Sequence, residues 1–301
     1  MMKAIKCPIC GSLSNRVLFK TKDYRYRPVS SKTFKLISCL DCQVVFTYPR
    51  FSEKEMDHFY PEDYYGNQKG KGDFLLNLQL ITKRKLIDEI TKKIKKGSFL
   101  DVGCGSGEFL LEMKKKGFDV VGIDVSLNAC NLVEKKGIEV YNKSLLQKKF
   151  PVNSFDLVTF WHVFEHLREP DKDLKEVKRI LKRDGILIID VPNFDSFSVK
   201  LFGPFAFHLD VPRHFFHWTE EGLIGLLNRN GFKIIKIRSS RFDFPLALFK
   251  DLRNFLISKK IDTNFSKFLL ILAFLPLLFL TIIQRLFNVN NETLLIWAKK
   301  I

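Results

Sequence analysis

The chain has 301 residues, which excludes a molecule too short to fold around its own core and leaves room for one small additional module. Its formal net charge of +17 favours an anionic partner such as nucleic acid, acidic lipid or phosphorylated glycan. Lysine, phenylalanine, isoleucine and asparagine are abundant throughout, so drift in base composition accounts for the charge equally well.

Met1–Cys7 contains no apolar run that would serve as a secretory signal, which implies a cytoplasmic chain with reduced thiols. Four of the six cysteines then form two C-x-x-C pairs, Cys7–Cys10 and Cys39–Cys42. Each pair presents two thiolates from one turn, and two such turns complete a closed tetrahedral site for structural Zn²⁺. Two disulfides or redox motifs are the alternatives. The separation is long for a ribbon, so residues 15–38 must form a hairpin within a module spanning 1–50. Four thiolates leave no open position for chemistry, so such a module closes its own lobe, shapes an entrance or docks a partner.

Residues 51–73 form a connector rich in tyrosine, glycine and acid, including Tyr60–Tyr65. From Phe74 to Lys96 the apolar residues recur at helical spacing, and Gly97 ends the helix. Phe99–Val102 is a short apolar strand that breaks into Gly103, Gly105 and Gly107. An amphipathic segment follows, then a second strand, Val120–Asp124, ending in an acid. Alternating glycines allow a tight turn and let a ligand lie against bare main chain. A carboxylate at the next strand's end can accept from both ribose hydroxyls. The glycine spacing is G-x-G-x-G, and Glu108 stands where a dinucleotide fingerprint has its third glycine.

Ser126 caps a helix running to Lys136, Ile138–Tyr141 is a third strand, and Phe155–Leu167 supplies a fourth strand and its following segment. Asp171–Arg183 is a helix with Leu174, Val177, Ile180 and Leu181 on one stripe. Asp184–Gly185 turns into a buried-type strand, Ile186–Val191. Cys104 and Cys130 read as small packing residues.

The D-x-G-x-G-x-G turn, the acid at 124 and the Glu165-His166-Leu167 run together resemble the class I S-adenosylmethionine-dependent methyltransferases. The Glu-His-Leu type includes quinone and sugar O-methyltransferases, and cysteine-ribbon fusions of bacterial glycan and secondary-metabolite pathways. The likeness covers residues 74–240 and the last ten. It implies an α/β fold with a Rossmann-like seven-stranded methyltransferase sheet and helices on both faces, to which the residues themselves add the small zinc-binding module and a hydrophobic helical insertion before the last strand. It implies S-adenosyl-L-methionine as cofactor, touched by Asp101, Gly103, Gly105, Gly107, Asp124, Val125, Ser144, Leu145, Trp161 and His162. The Asn/Asp-Pro-Pro-aromatic motif of nucleobase and glutamine N-methyltransferases is replaced by Phe160-Trp-His-Val163, which leaves O- or C-methylation open.

Five of the six histidines fall between 162 and 217. An oxygen nucleophile must lose its proton to a base, and His214 is the candidate, with His162 at a strand's carboxyl end. Asp210 or Arg213 would orient substrate, and His217 would line its site. His166 reads more simply as a backbone hydrogen-bonding partner.

Phe232–Ile237 reads as a strand, and Thr293–Ala298 as the last one. The methyltransferase core therefore spans 74–244 and closes with 291–301. Between them, 245–290 holds an amphipathic helix (Leu246–Ile257) and the uncharged run Phe268–Ile283 around Pro276. Sixteen helical residues span about 24 Å, short of a bilayer core of about 30 Å. A single crossing would also strand the last strand on the wrong side. The segment therefore dips in or lies flat on the inner membrane face, with Lys259, Lys260 and Lys267 as headgroup anchors, or else packs as a buried hairpin or dimer contact. The expected acceptor is a small molecule, a quinone-like compound or a lipid-linked glycan. RNA methylation and a non-catalytic membrane-docked scaffold are the competing readings.

Overall fold

The computed structural model describes residues 5–25, 31–56, 59, 84–240, 244–261, 264–265, 268–273, 275–276, 279 and 292–301. Eleven strands are described: β1 Asn15–Thr21, β2 Phe34–Cys39, β3 Val45–Tyr48, β4 Ser98–Val102, β5 Asp119–Asp124, β6 Glu139–Asn142, β7 Phe155–Trp161, β8 Leu181–Pro192, β9 Phe216–His217, β10 Phe232–Ser240 and β11 Thr293–Lys300. Helices are α1 Glu53–Met56, α2 at 84–93, α3 Glu108–Lys115, α4 Leu127–Glu134, α5 Leu145–Lys148, α6 Pro170–Ile180, α7 Phe197–Phe202, α8 Glu220–Arg229 and α9 Phe244–Ser258.

Seven strands form one sheet in the order β10-β11-β8-β7-β4-β5-β6. Strands β4 to β8 run parallel, and β11 is antiparallel to both β8 and β10. The chain moves outward from β4 to β6 and then returns to β7 on β4's other side. That reversal opens a crevice beyond the carboxyl ends of β4 and β7, where open α/β sheets bind ligands.

Alternation along the strands sends neighbouring side chains to opposite faces. Phe99, Leu157, Ile188 and Trp297 pack with Phe109, Leu110 and Met113 of α3 and Ile87 and Ile90 of α2. Leu100, Val158, Leu187 and Ile296 pack with Leu174, Val177 and Ile180 of α6 and Leu223, Leu226 and Leu227 of α8. The expected seven-stranded sheet with helices on both faces is therefore present.

Several boundaries differ from the sequence reading. Helix α6 stops at Ile180, because Asn153 and Ser154 donate to the carbonyls of Arg179 and Ile180 at 3.1 and 2.7 Å. Leu181 is already paired with Phe155, so the expected Asp184–Gly185 turn lies inside β8. Of the helix expected at 74–96, residues 74–83 lie outside those described, as do Tyr60–Tyr65 and Lys267.

The N-terminal module is not self-contained. Its sheet has the order β1-β2-β3-β9, and the fourth strand comes from the segment expected to face substrate. Cys7, Cys39, Cys42 and Phe46 share one buried cluster with Phe164, Phe215 and Trp218 of the core.

Helix α9 buries Ala247, Leu248 and Leu256. Beyond it, Phe265, Phe268, Ile271, Leu272, Leu275 and Phe279 are exposed. No helix among the described residues is long and apolar enough to cross a membrane.

Candidate active site

The turn after β4 is built on three left-handed glycines, with φ of 70° at Gly103, 53° at Gly105 and 74° at Gly107. A Cβ on Gly103 would lie 2.3 Å from Val163, and one on Gly107 would lie 2.8 Å from Val133. One on Gly105 would meet nothing within 4 Å. Two glycines thus serve close packing, while the middle one presents bare main chain to open space.

Asp124, at the end of β5, faces this turn. Its Oδ2 accepts from the Gly105 amide at 2.9 Å, and its Oδ1 accepts from the Ser126 amide at 2.8 Å. Burial pushes the Asp124 carboxyl above its ordinary value, against the pull of these amides. Each oxygen keeps a second lone pair, so the carboxylate can still accept from a ligand. The open cradle at Gly105 and this acid fit the adenosyl group of S-adenosylmethionine.

The other expected cofactor residues fall into two groups. Val125 is 68% exposed beside Asp124, and His162 adopts a positive φ of 54° directly after β7. The Trp161 ring lies 4.7 Å from that of Phe109, at the start of α3. In contrast, Asp101 is buried and accepts from the Thr159 hydroxyl at 2.6 Å. Ser144 is occupied as the N-cap of α5 in a capping box with Gln147, and Leu145 is buried. Asp101 and Leu145 thus face inward, whereas Ser144 stays partly exposed.

The histidine-bearing segment wraps under the N-terminal module. Arg213 is fully buried; its guanidinium donates to both oxygens of Asp23 (2.8 and 2.7 Å), to Asp210 Oδ1 and to the Phe59 carbonyl. Asp210 also accepts from Arg25 at 2.8 Å. Burial opposes its charge, but Arg213 and Arg25 hold its carboxyl below the ordinary value. Arg213 and Asp210, expected to orient substrate, thus bond to each other and to the N-terminal module.

His214 donates from Nδ1 to the His208 carbonyl at 2.9 Å, leaving its Nε2 lone pair free of a proton. Burial first, and then His166 and His217, push its pKa well below the ordinary value, so the ring is neutral. Thr47 donates to the His214 carbonyl and lies 2.8 Å from His217 Nε2, so that nitrogen must donate to the Thr47 oxygen. Burial pushes His217 down to about 3. Both rings line a small cavity with Asn193, Phe194, His208 and Phe216. His162, by contrast, is 42% exposed, with Nδ1 3.7 Å from Glu165 and Nε2 4.0 Å from Asp190.

Sequence reasoning missed Glu165, Asp190, Asn193 and Thr47. Glu165 stood in plain view within the Glu-His-Leu run; Thr47 gave no signal, because its role depends on the β3–β9 pairing.

The four cysteines of the paired knuckles converge. Cys7 and Cys42 sulfurs lie 3.6 Å apart, Cys10 and Cys39 lie 3.5 Å apart, and all four fall within 4.8 Å of one another. These separations are too long for disulfides and match the edges of a tetrahedral site with metal–sulfur bonds of about 2.3 Å. Gly11 and Gln43, each directly after a knuckle, both adopt positive φ, so the two turns have the same local form. The donor set fits Zn²⁺. Cys104 and Cys130 are buried apart from it, as packing residues.

Comparison with known proteins agrees with this geometry. The family described as "Methyltransferase domain" matches residues 77–237. An uncharacterised protein of Methanocaldococcus jannaschii is 30% identical over 156 residues, covering 52% of this chain and 74% of that protein. The demethylmenaquinone methyltransferase of Staphylococcus saprophyticus is 27% identical over 219 residues, covering 62% and 92%. A ubiquinone biosynthesis O-methyltransferase of Actinobacillus pleuropneumoniae is 30% identical, but the match covers only 31% of this chain and 45% of that enzyme. Among solved structures, a 1,6-didemethyltoxoflavin-N1-methyltransferase from Burkholderia thailandensis, with bound S-adenosylhomocysteine, superposes with a TM-score of 0.51 at 15% identity over 87% of this chain and 97% of that one.

Proposed function

The chain belongs to the methyltransferase-domain family and is an S-adenosylmethionine-dependent methyltransferase, and from that premise we propose that it methylates a hydroxyl oxygen of a small-molecule or lipid-linked glycan acceptor at a membrane face. The observation that carries the cofactor half is the open main chain at Gly105 beside the Asp124 carboxylate. Asp124 would hold the ribose hydroxyls, Val125 the adenine edge, and the Gly103–Gly107 turn the remainder of the nucleoside. The bound cofactor supplies a sulfonium methyl group, which needs alignment with its acceptor more than chemical activation.

The acceptor half is carried by histidines 162 and 214, at the end of β7 and against the β9 segment. His162 is the exposed one and His214 the enclosed one, and both hold lone pairs suited to an acceptor proton. Quinone-directed relatives favour a phenolic or enolic oxygen.

Zinc would occupy the four-cysteine cluster as a structural ion. Membrane attachment is supported by the exposed Phe268, Ile271, Leu272 and Leu275, with exposed Lys259 and Lys260 just before them. Incubating the protein with methyl-labelled cofactor and a membrane extract tests the reading: label should enter the lipid-extractable fraction as an alkali-stable ether. Label confined to RNA, or none with a cofactor-binding protein, overturns it. Sedimentation with anionic liposomes tests attachment, and protein left in the supernatant refutes it.

A further inference from the structure

Four residues past β7, a buried carboxylate has no hydrogen-bond donor. Glu165 is 1% exposed, and neither side-chain oxygen has a hydrogen-bond partner. Such a group is costly unless a positive charge or several donors compensate it. Around it stand His166 and His214, and one ligand atom from each of the three lies within 4.8 Å of the others.

The tautomers of the two rings are fixed by the backbone. His166 Nδ1 lies 3.0 Å from the Arg213 carbonyl, and His214 Nδ1 lies 2.9 Å from the His208 carbonyl. A carbonyl only accepts, so in each neutral ring Nδ1 carries the proton and Nε2 the lone pair. The rings meet edge to face, with centroids 4.6 Å apart. His214 Nε2 is 3.9 Å from Glu165 Oε1, which sets two acceptors against each other with no proton between them.

We propose that Glu165, His166 and His214 form a binding site for a divalent transition-metal cation. Two imidazoles, each anchored through its far nitrogen to a main-chain carbonyl, are the arrangement by which proteins aim histidine ligands. Together with one carboxylate they make a mixed nitrogen and oxygen set suited to Zn²⁺, Fe²⁺, Co²⁺ or Mn²⁺, distinct from the all-sulfur cluster. A cation there neutralises Glu165 and turns the opposed lone pairs into shared ligands. The site adjoins the cofactor turn, because Val163, two residues before Glu165, is the side chain that closes on Gly103.

One consequence rests on the O-methylation reading, whereas the cation site itself does not. A hydroxyl bound to the cation loses its proton more readily. His162, 3.7 Å from Glu165 and partly exposed, takes that proton. The oxygen then forms its bond to the methyl carbon as the methyl–sulfur bond breaks, with that electron pair remaining on sulfur. His214 acts here as a ligand and His162 as the base.

Titrating the metal-free full chain with Co²⁺ tests the site without any turnover. Thiolate-to-cobalt charge-transfer bands report the cysteine cluster, and weak visible bands report a nitrogen and oxygen site. Wild type should take two Co²⁺ per chain. Glu165→Gln, close in shape and uncharged, should take one and keep the thiolate bands, and His214→Ala should do the same. A wild type that takes a single Co²⁺ with thiolate bands alone overturns the proposal, as does Glu165→Gln retaining the second ion. Loss of methyl transfer with both ions still bound would instead count against the O-methylation reading.

Discussion

The Gly105 amide donates to Asp124 Oδ2 across 2.9 Å, so the glycine turn and the acid that ends β5 form one unit before any ligand arrives. Two substitutions separate its parts. Asp124→Ala removes the ribose acceptor and should weaken S-adenosylmethionine binding by about 10–100-fold, because hydrogen bonds to a charged group contribute about 1.5–3 kcal/mol. Gly105→Ala has open space for its methyl group but a φ of 53°, so it should cost about 1–2 kcal/mol of stability and also obstruct the cofactor. Isothermal titration calorimetry and urea unfolding read the two effects. Unchanged affinity in both variants would place the cofactor elsewhere.

Arg213 and Asp23 make the tie between the N-terminal module and the core. The guanidinium is fully buried, and its bidentate pairing with Asp23 spans 190 positions of sequence. Removing one partner strands the other's charge, so Asp23→Ala and Arg213→Ala should each destabilise by about 3–5 kcal/mol. The double variant should be less unstable than the sum, since neither charge is then left alone. Strict additivity in urea denaturation would show that the pair is not coupled.

The parallel core was legible because its signals are local. Phe99–Val102, Val120–Asp124 and Ile186–Val191 are apolar runs bounded by glycine, acid or proline, and each is a buried strand. The cysteine convergence was legible for the same reason. The environment of the histidine segment was not. Arg213 looked like a substrate contact because its partner Asp23 lies far away in sequence, and β9 is two residues long with no periodicity to detect. Ser144 also caps α5 through a capping box with Gln147, a role whose signal is local.

Glu292 makes stability depend on pH. It sits just before β11 at 1% exposure, and burial first, then nearby Asp251, push its carboxyl up to about 8. An unfolded glutamate titrates near 4.3. Between those values the folded state holds a proton that the unfolded state has released. Stability is therefore greatest below the unfolded value and falls as pH rises toward about 8. Asp251, pushed up to about 6 by burial, adds to the same slope over a narrower window. Glu292→Gln should flatten the profile and raise Tm at pH 8 by roughly 3 °C or more relative to wild type. Equal wild-type and variant slopes would remove Glu292 as the source.

Thr47 links the cysteine cluster to the histidines. It lies on β3, eight residues past Cys39, and its hydroxyl donates to the His214 carbonyl while accepting from His217 Nε2. If the cysteines hold zinc, stripping the ion should loosen the turn at 39–44, and with it β3, the pairing to β9 and the protonation pattern of His217. Imidazole ¹⁵N spectra report that pattern directly. Wild type should show His217 protonated on Nε2, whereas Thr47→Val, which has similar volume but no hydroxyl, should release it to exchange between tautomers. Chelation of the wild type should produce the same His217 change, and Thr47→Ser should preserve the original pattern. A His217 signal indifferent to both chelation and Thr47→Val would mean that the metal cluster stabilises its own lobe and nothing beyond it.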